Sequence, residues 1–146
     1  MIDIVSKDER SRNMARIKGR DTDPELIVRR CLHRDGYRFR LHRADLPGKP
    51  DIVLTRYRAA IFVHGCFWHR HRDCRLAYQP KSRVYFWTNK FRETVKRDER
   101  QIRALEAIGW RVLVVWECHL RTVVSRSACL RTITTWLKSS STHMEI

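Results

Sequence analysis

The sequence predicts an α/β fold in which a mixed central β-sheet is flanked by helices. Amphipathic helical patterns and short, continuously apolar segments predict two helices, three strands, a helix, a strand and a final helix. The first predicted strands are close enough in sequence for hairpin pairing, whereas the last follows a long helix, which favours a parallel crossover. With 146 residues, of which 42% are hydrophobic, the chain suits a single domain spanning residues 1–146 with a modest core.

Two capping patterns predict helices near the beginning of the chain. Residues 6–9 have the Ser-x-x-Glu spacing of a capping box and predict a first helix over about residues 7–17, within a basic segment. Residues 22–25, Thr-Asp-Pro-Glu, repeat the pattern with proline at an early helical position. They predict a second helix that ends near Gly36, because glycine commonly follows the last helical residue.

Four alternating or continuously apolar segments predict the strands, namely residues 37–41, 51–54, 59–63 and 110–116. Residues 64–81 are predicted to form an irregular loop rich in His, Cys and Arg, and residues 89–108 a long helix. A final amphipathic helix is predicted around residues 129–137. Residues 139–146 are expected to form a frayed tail.

The charge balance indicates a polyanionic partner. Lys plus Arg total 31 and Asp plus Glu total 16, which gives a net charge of +15. Nucleic acid is the natural partner, because binding gains from the release of condensed counterions. The sequence has no transmembrane-length apolar run and no secretory signal, so we expect a cytosolic protein that does not bind membranes. Five cysteines in such a protein are better interpreted as free thiols or metal ligands than as disulfides.

A dense group of His and Cys residues predicts a zinc site. Cys66, His69, His71 and Cys74 lie within one loop, and Cys118 follows another predicted strand. Zinc prefers four Cys or His ligands, so five candidates compete for four places, and spacing does not decide between His69 and His71. The histidine that is not a ligand would be free for proton transfer. The alternative is that the histidines contact phosphate and the cysteines pack.

Two acidic residues are candidates for a hard-cation site. Asp51 follows the basic segment of residues 48–50 at the start of an apolar strand, where its carboxylate could bind Mg²⁺. On this feature alone, a turn-forming aspartate is the favoured interpretation. Glu25 is fully explained by its place in the capping box, although a role beside a metal is compatible with it.

One carboxylate interrupts an apolar helix face. Phe91, Val95, Ile102 and Leu105 share a stripe whose remaining position is Asp98. Burying a carboxylate without a partner is costly, so we expect Asp98 to contact a cation or a hydrogen-bond donor, such as a histidine of the loop. The alternative is a slightly rotated stripe that leaves Asp98 at its exposed edge.

Aromatic residues lie in unusually basic surroundings. Phe67 and Trp68 stand between the proposed metal ligands, and both intercalation into DNA and ordinary packing remain open for them. Packing is favoured for Phe86 and Trp87. It is also favoured for Met14, although a methionine among the arginines of the first helix could also insert into DNA.

Several motifs together resemble those of the very short patch repair (Vsr) endonucleases. The most specific are His-Gly-Cys-Phe-Trp-His at residues 64–69 and Trp-Glu-Cys at residues 116–118. Further matching segments are residues 22–25, 46–51, 86–87, 97–98 and 109–115. The resemblance extends over about residues 11–137. It implies a restriction-endonuclease-like fold and a strand-specific nick on the 5′ side of the thymine in a T·G mismatch, the product of 5-methylcytosine deamination.

The resemblance also implies roles for individual residues. Asp51 and the backbone carbonyl of Val63 correspond to the ligands of a catalytic Mg²⁺. The other catalytic positions are His69 as the catalytic histidine, His64 and Asp98 beside it, and Glu25 near the metal. The ligands of a structural zinc correspond to Cys66, His71, Cys74 and Cys118. Positions that insert into DNA correspond to Met14, Phe67, Trp68 and Trp87, with residues 1–20 as a DNA-contacting helix.

The family implies partners as well. These are double-stranded DNA with a T·G mismatch and mismatch-repair proteins, for a monomer in the bacterial cytoplasm associated with the nucleoid. Two rival hypotheses remain: a restriction-type or general nuclease of the same fold without mismatch preference, and a non-catalytic zinc module that only binds DNA.

Overall fold

The structure is a computed structural model that describes residues 21–146. The basic segment of residues 1–20, with the predicted first helix and Met14, lies outside the described residues. The described part contains three α-helices and one five-stranded sheet.

Helix α1 spans Asp23–Arg34 and begins with the predicted capping box. The Thr22 hydroxyl accepts a hydrogen bond from the backbone N–H of Glu25, and the Glu25 carboxylate accepts one from the backbone N–H of Thr22 at 2.8 Å. Both otherwise unpaired N–H groups are thereby satisfied. The end of the helix close to Gly36, which has φ +83°, is also as predicted.

The sheet has the strand order β1-β2-β3-β4-β5. Its strands are β1 Arg40–Leu41, β2 Ile52–Leu54, β3 Ala59–His64, β4 Arg111–Trp116 and β5 His143–Glu145. The first three pair antiparallel, whereas β3–β4 and β4–β5 pair parallel. The predicted mixed sheet is confirmed. The strand predicted over residues 37–41 is shorter, because the N–H of Tyr37 instead bonds the carbonyl of Leu32 and closes helix α1.

The prediction of a frayed tail over residues 139–146 is wrong. Strand β5 pairs with the outer edge of β4, with Val112 opposite His143. The N–H of Ile146 bonds the carbonyl of Val114 at 2.9 Å. The physical reason is that β4 would otherwise leave a row of backbone groups unpaired along its edge. The tail has no apolar run, so its pairing had no sequence signal.

The long helix α2 spans Val84–Ala107 and begins earlier than the predicted residue 89. Arg83 precedes it in the left-handed conformation at φ 52° and marks its start. Phe86 and Trp87 are therefore helical. Helix α3, Val123–Leu137, is capped by the Thr122 hydroxyl, which accepts a hydrogen bond from the N–H of Ser125.

The helices cover both faces of the sheet. One core cluster joins sheet residues such as Ile61 and Leu113 to Leu32 of α1 and Trp136 of α3. The other joins Leu105 of α2 to the opposite sheet face, as listed here: Val53, Ala60, Phe62, Val112 and Val114. Burial on both faces explains why β3 and β4 are almost entirely apolar. It leaves the carboxyl ends of β3 and β4, where the chain becomes polar, as the place for a site.

Among residues 21–146, none of the helices combines the length and the apolar character needed to cross a bilayer.

Candidate active site and metal centre

A cavity of about 960 Å³ opens at the carboxyl end of β3. It brings together residues predicted from four separate segments of the chain. These are Glu25, Asp51, Val63, His64, Phe67, Trp68, His69 and Asp98. The antiparallel pairing of β2 with β3 and the packing of α2 beside the sheet place them within one concave surface.

Asp51 lies just before β2 and is anchored to the end of β3. Its Oδ2 atom accepts a hydrogen bond from the backbone N–H of Val63 at 2.7 Å. Burial, together with the negative charge of Glu25, raises the pKa of Asp51 to about 7, although the bond from Val63 opposes the shift. A bound cation would favour the ionised carboxylate, so this position suits a metal ligand.

Glu25 and His42 complete the acidic side of the cavity. Nε2 of His42 lies 3.0 Å from Oε1 of Glu25 and 4.0 Å from Oδ1 of Asp51. Although burial alone would raise the pKa of Glu25, hydrogen bonds with His42 and Thr22 bring it below its ordinary value. The three side chains offer ligand atoms within 4.8 Å of one another and can hold a metal ion.

Sequence reasoning missed His42. It directly follows β1, and its backbone N–H bonds the carbonyl of Asp51 at 3.2 Å. Pairing the predicted strand 37–41 with the strand after Asp51 would have placed the two residues opposite each other. That register was the available signal, but it depends on a turn that sequence alone does not fix.

The second half of the cavity contains two histidines and one carboxylate. The rings of His64 and His69 are stacked with centroids 3.8 Å apart and planes 4° apart. Nδ1 of His69 lies 2.7 Å from Oδ2 of Asp98. Because an ionised carboxylate only accepts, the Nδ1–H of His69 donates to Asp98, and in the neutral ring the lone pair lies on Nε2.

Burial keeps His64 neutral. Loss of solvation, with the nearby charge of His69 as a further contribution, lowers the pKa of His64 to about 3. A neutral ring is able to stack on His69 without placing two positive charges face to face. The arrangement restricts the orientation of the His69 ring from one side, while Asp98 fixes it from the other.

The contact between Asp98 and His69 is the partner expected for the carboxylate on the apolar stripe. The buried face of α2 contains Phe91, Thr94 and Leu105. The face is therefore rotated slightly from the predicted stripe, and Thr94 replaces Val95 at its centre. The Asp98 side chain is nevertheless only 13% exposed, which agrees with a paired carboxylate rather than a solvated one.

The predicted Cys and His ligands form a separate cluster behind the cavity. Its members are Cys66, His71, Cys74 and Cys118, with ligand atoms within 4.8 Å of one another. Nδ1 of His71 lies 3.6 Å from Sγ of Cys66 and 3.4 Å from Sγ of Cys118. In a tetrahedral site with metal bonds of about 2.0–2.3 Å, sulfur and nitrogen ligands are about 3.5 Å apart. The donor set and its spacing fit a metal ion.

The geometry also resolves the choice between the two loop histidines. His71 belongs to the Cys and His cluster, and His69 faces Asp98. Burial raises the pKa values of the Cys66 and Cys118 thiols. A metal would favour their thiolate forms, as expected for ligands.

Aromatic rings connect the Cys and His cluster to the cavity. Trp116, the last residue of β4, is in register with His64. Its indole stacks on His71 with centroids 4.3 Å apart and meets the ring of His64 edge-on at 5.2 Å. Sequence analysis noted the Trp-Glu-Cys motif but gave Trp116 no role of its own.

The aromatic residues beside the cavity pack on one another. Phe67 contacts Trp68, Tyr78, Trp87 and Phe91 with centroid distances of 4.9–5.8 Å. Phe67 and Trp68 also line the cavity, so packing in the free protein does not remove them from its surface.

Arg70 holds this aromatic cluster in place. Its guanidinium lies 3.9 Å from the centre of the Phe91 ring. It donates hydrogen bonds to the carbonyls of Phe67, Ala77 and Tyr78. The loop that carries Phe67 is thus fastened to α2, a contribution that sequence reasoning did not anticipate.

Comparisons with known proteins agree with the geometry. The sequence profile of the family described as DNA mismatch endonuclease Vsr matches residues 2–76. The chain is 49% identical over 133 residues to the type II nicking enzyme V.XorIIP of Xanthomonas oryzae pv. oryzae, covering 91% of this chain and 97% of that protein.

Two further relatives are also similar over most of the chain. The DNA mismatch endonuclease Vsr of Escherichia coli is 48% identical over 121 residues, covering 83% of this chain and 77% of that protein. The type II nicking enzyme V.NmeAIP of Neisseria meningitidis is 42% identical over 121 residues, covering 83% of this chain and 86% of that protein. The chain therefore belongs to the Vsr family of DNA mismatch endonucleases.

Proposed function

We propose that this DNA endonuclease nicks one strand of a duplex on the 5′ side of the thymine in a T·G mismatch, with Mg²⁺ as its catalytic cation. The observation that carries the proposal is the convergence of Asp51 with the His64, His69 and Asp98 group in one cavity beside Phe67. Hydrolysis of a phosphodiester needs both a charge-stabilising site and a proton acceptor, and this cavity has candidates for each.

Asp51 and the backbone carbonyl of Val63 are the proposed ligands of the cation, with Glu25 beside them. When bound there, Mg²⁺ would polarise the scissile phosphate and stabilise the charge that develops on it. The carboxylate oxygens suit this hard cation. The bond between Asp51 and the N–H of Val63 supports this placement, because it keeps the proposed ligands adjacent.

His69 is the proposed general base. Its free Nε2 would accept a proton from the attacking water, whose oxygen bonds to phosphorus as the phosphorus–oxygen bond to the leaving strand breaks. Asp98 would hold the ring through Nδ1 and stabilise the imidazolium that forms. His64, stacked on the opposite side, would limit rotation of that ring.

We assign zinc to the cluster of Cys66, His71, Cys74 and Cys118 in a structural role. Four protein ligands leave no open position for substrate or water. Zinc bound there would hold the loop after β3 to the end of β4, since Cys118 follows that strand.

Mismatch preference is proposed to come from aromatic insertion. Phe67, Trp68 and Trp87 would enter the stack next to the mismatch, with Met14 contributing from the N-terminal segment. Unstacking is cheapest where pairing is already weak, so deformability would favour a T·G site over matched DNA. We further propose that the enzyme acts as a monomer and is coupled to mismatch-repair proteins.

A strand-resolved nicking assay tests the proposal. Duplexes with one T·G pair should be nicked 5′ of the thymine when Mg²⁺ is present, and matched T·A and C·G duplexes at least about a hundredfold more slowly. Asp51→Asn should abolish nicking and retain DNA binding. Asp45→Asn is the control, because this exposed aspartate of the preceding loop pairs with Arg43 and does not line the cavity.

Two outcomes would contradict the proposal. Equal nicking of matched and mismatched duplexes would identify a general or restriction-type nuclease. Unchanged nicking by Asp51→Asn would show that the catalytic cation does not bind at this position.

A further inference from the structure

We infer that His42 is a nitrogen ligand of the catalytic cation site, beside Glu25 and Asp51, and that the site consequently binds Mn²⁺ or Co²⁺ more tightly than Mg²⁺. The inference rests on the proposed function in one respect, namely that the cavity of Asp51 binds a divalent cation. It adds a nitrogen ligand, which favours transition metals over Mg²⁺ more strongly than an all-oxygen site would.

Three potential ligand atoms lie within 4.8 Å of one another. Oδ2 of Asp51 accepts the N–H of Val63, so Oδ1 is the atom that faces His42. Oε2 of Glu25 is occupied by Thr22, so Oε1 is the atom that faces His42. The imidazole nitrogen therefore meets the available oxygen of each carboxylate.

The distances suit a single cation. Nε2 of His42 lies 3.0 Å from Oε1 of Glu25 and 4.0 Å from Oδ1 of Asp51. Around a six-coordinate ion with bonds of about 2.1 Å, neighbouring ligands lie about 3.0 Å apart and opposite ones about 4.2 Å apart. Both observed separations fall within this range. The distance from Nε2 of His42 to Asp51 is too long for a hydrogen bond, and Asp51 instead shares a hydrogen bond with Glu25.

The backbone positions His42 for this contact. The residue continues the β1–β2 ladder, because its N–H bonds the carbonyl of Asp51. It has φ 48°, a left-handed conformation that is uncommon for non-glycine residues but that histidine adopts more readily than most. Such conformations cluster at functional sites, where the surrounding structure maintains them. The side chain is only 11% exposed and lines the cavity.

The donor set determines the preference among cations. Mg²⁺ favours oxygen ligands and retains several waters, whereas imidazole suits transition metals, whose affinity rises from Mn²⁺ to Co²⁺. One nitrogen and two carboxylates therefore shift the site away from Mg²⁺.

A nearby cation opposes binding but is itself paired. Arg29 lies 3.5 Å from Nε2 of His42 and 3.8 Å from Oε1 of Glu25. It also bonds Asp21 at 2.7 Å, which offsets its charge.

The test measures cation binding to the full-length, zinc-loaded protein without DNA. Free Mn²⁺ is followed by electron paramagnetic resonance, and Mg²⁺ is added as competitor. The wild-type protein should bind Mn²⁺ at least about tenfold more tightly than Mg²⁺. His42→Gln should lower the Mn²⁺ affinity about tenfold and the Mg²⁺ affinity by less than about threefold.

A matched control exists elsewhere in the chain. His143 also contacts a glutamate, with Nδ1 at 3.1 Å from Oε1 of Glu106, but on the surface. His143→Gln should change neither affinity. If His42→Gln does not fold, as judged by thermal unfolding, His42→Asp replaces it. This variant supplies a third carboxylate and should lower the ratio of Mn²⁺ to Mg²⁺ affinity while cation binding is retained.

Several results would overturn the inference. An unchanged affinity ratio in both His42 variants would show that His42 only donates a hydrogen bond to Glu25. A wild-type protein that binds Mn²⁺ no more tightly than Mg²⁺ would contradict the inferred nitrogen ligand. These outcomes are distinct from failure of the proposed function, which is a wild-type enzyme that does not nick T·G duplexes with Mg²⁺.

Discussion

Asp98 holds the imidazole of His69 by one hydrogen bond of 2.7 Å, and this contact decides which ring nitrogen is available to a water molecule. A partner for Asp98 was one of two interpretations open from the sequence, because a buried carboxylate must be compensated whereas one at an exposed edge need not be. The role of His42 could not be predicted in this way. It depends on a cross-strand contact with Asp51 and on a left-handed backbone conformation, neither of which has a signature in neighbouring residues.

Replacing Asp98 by asparagine should separate ring orientation from folding. The amide can donate a hydrogen bond to Nδ1, which stabilises the tautomer with its proton on Nε2 and removes the general base. We expect the single-turnover nicking rate to fall about a hundredfold or more, with DNA affinity little changed. Glu99→Gln is the control, since Glu99 is exposed on the same helix. An Asp98→Asn enzyme with the wild-type rate would exclude this role.

At the scale of elements, the parallel register of β3 and β4 brings two loops together. His64 is opposite Trp116, so the residues that follow each strand emerge at one edge of the sheet. The N–H of Cys66 bonds the Glu117 carboxylate at 3.1 Å, which ties the loops directly. The capping box of α1 was predictable because its signal is local. The early start of α2 was not predictable, because no sequence pattern indicates the left-handed conformation of Arg83.

Trp116 contacts both His71 of the Cys and His cluster and His64 of the cavity, so we expect its ring to affect both zinc affinity and nicking. Trp116→Leu removes the ring that contacts both His71 and His64, whereas Trp116→Phe keeps an aromatic face. We expect the leucine variant to lose about tenfold in zinc affinity and about tenfold in nicking rate, and the phenylalanine variant to stay within about threefold of wild type. Competition with a chromogenic chelator and single-turnover kinetics measure the two effects.

The control for this prediction is Trp136→Leu. Trp136 is also buried but belongs to the core cluster on the other face of the sheet. Replacing a buried tryptophan by leucine leaves a cavity and lowers stability at either position. If both leucine variants lower zinc affinity and nicking alike, once corrected for the folded fraction, Trp116 contributes only packing.

The whole molecule combines a predictable architecture with a strong positive charge. The mixed sheet flanked by helices follows from the alternation of apolar and amphipathic segments, which reflects burial and needs no contact information. Strand β5 could not be predicted in this way, because its pairing satisfies the backbone of β4 rather than burying an apolar run of its own. The net charge of +15 bears on affinity for DNA rather than on fold.

DNA binding should depend steeply on salt. Each phosphate neutralised releases condensed counterions, so the affinity for a T·G duplex should fall about a thousandfold between about 50 and 200 mM salt. The ratio of affinities for T·G and matched duplexes should change little, since the mismatch contributes through stacking and deformation. Fluorescence anisotropy with the Asp51→Asn variant, which should not cut the probe, measures both quantities. A salt slope corresponding to fewer than about two phosphates would contradict the electrostatic account.

Strand β5 also has a consequence for self-association. An apolar strand with a free edge is a template on which another molecule can add a strand, and β4 would be such a template without its neighbour. Among residues 21–146, the edge strands of the sheet are instead β1 and β5, of two and three residues, with Arg40, Leu41, His143 and Glu145 exposed along them. Short edge strands that carry charged side chains disfavour intermolecular pairing. We therefore expect the three residues of β5 to reduce aggregation by covering the edge of β4.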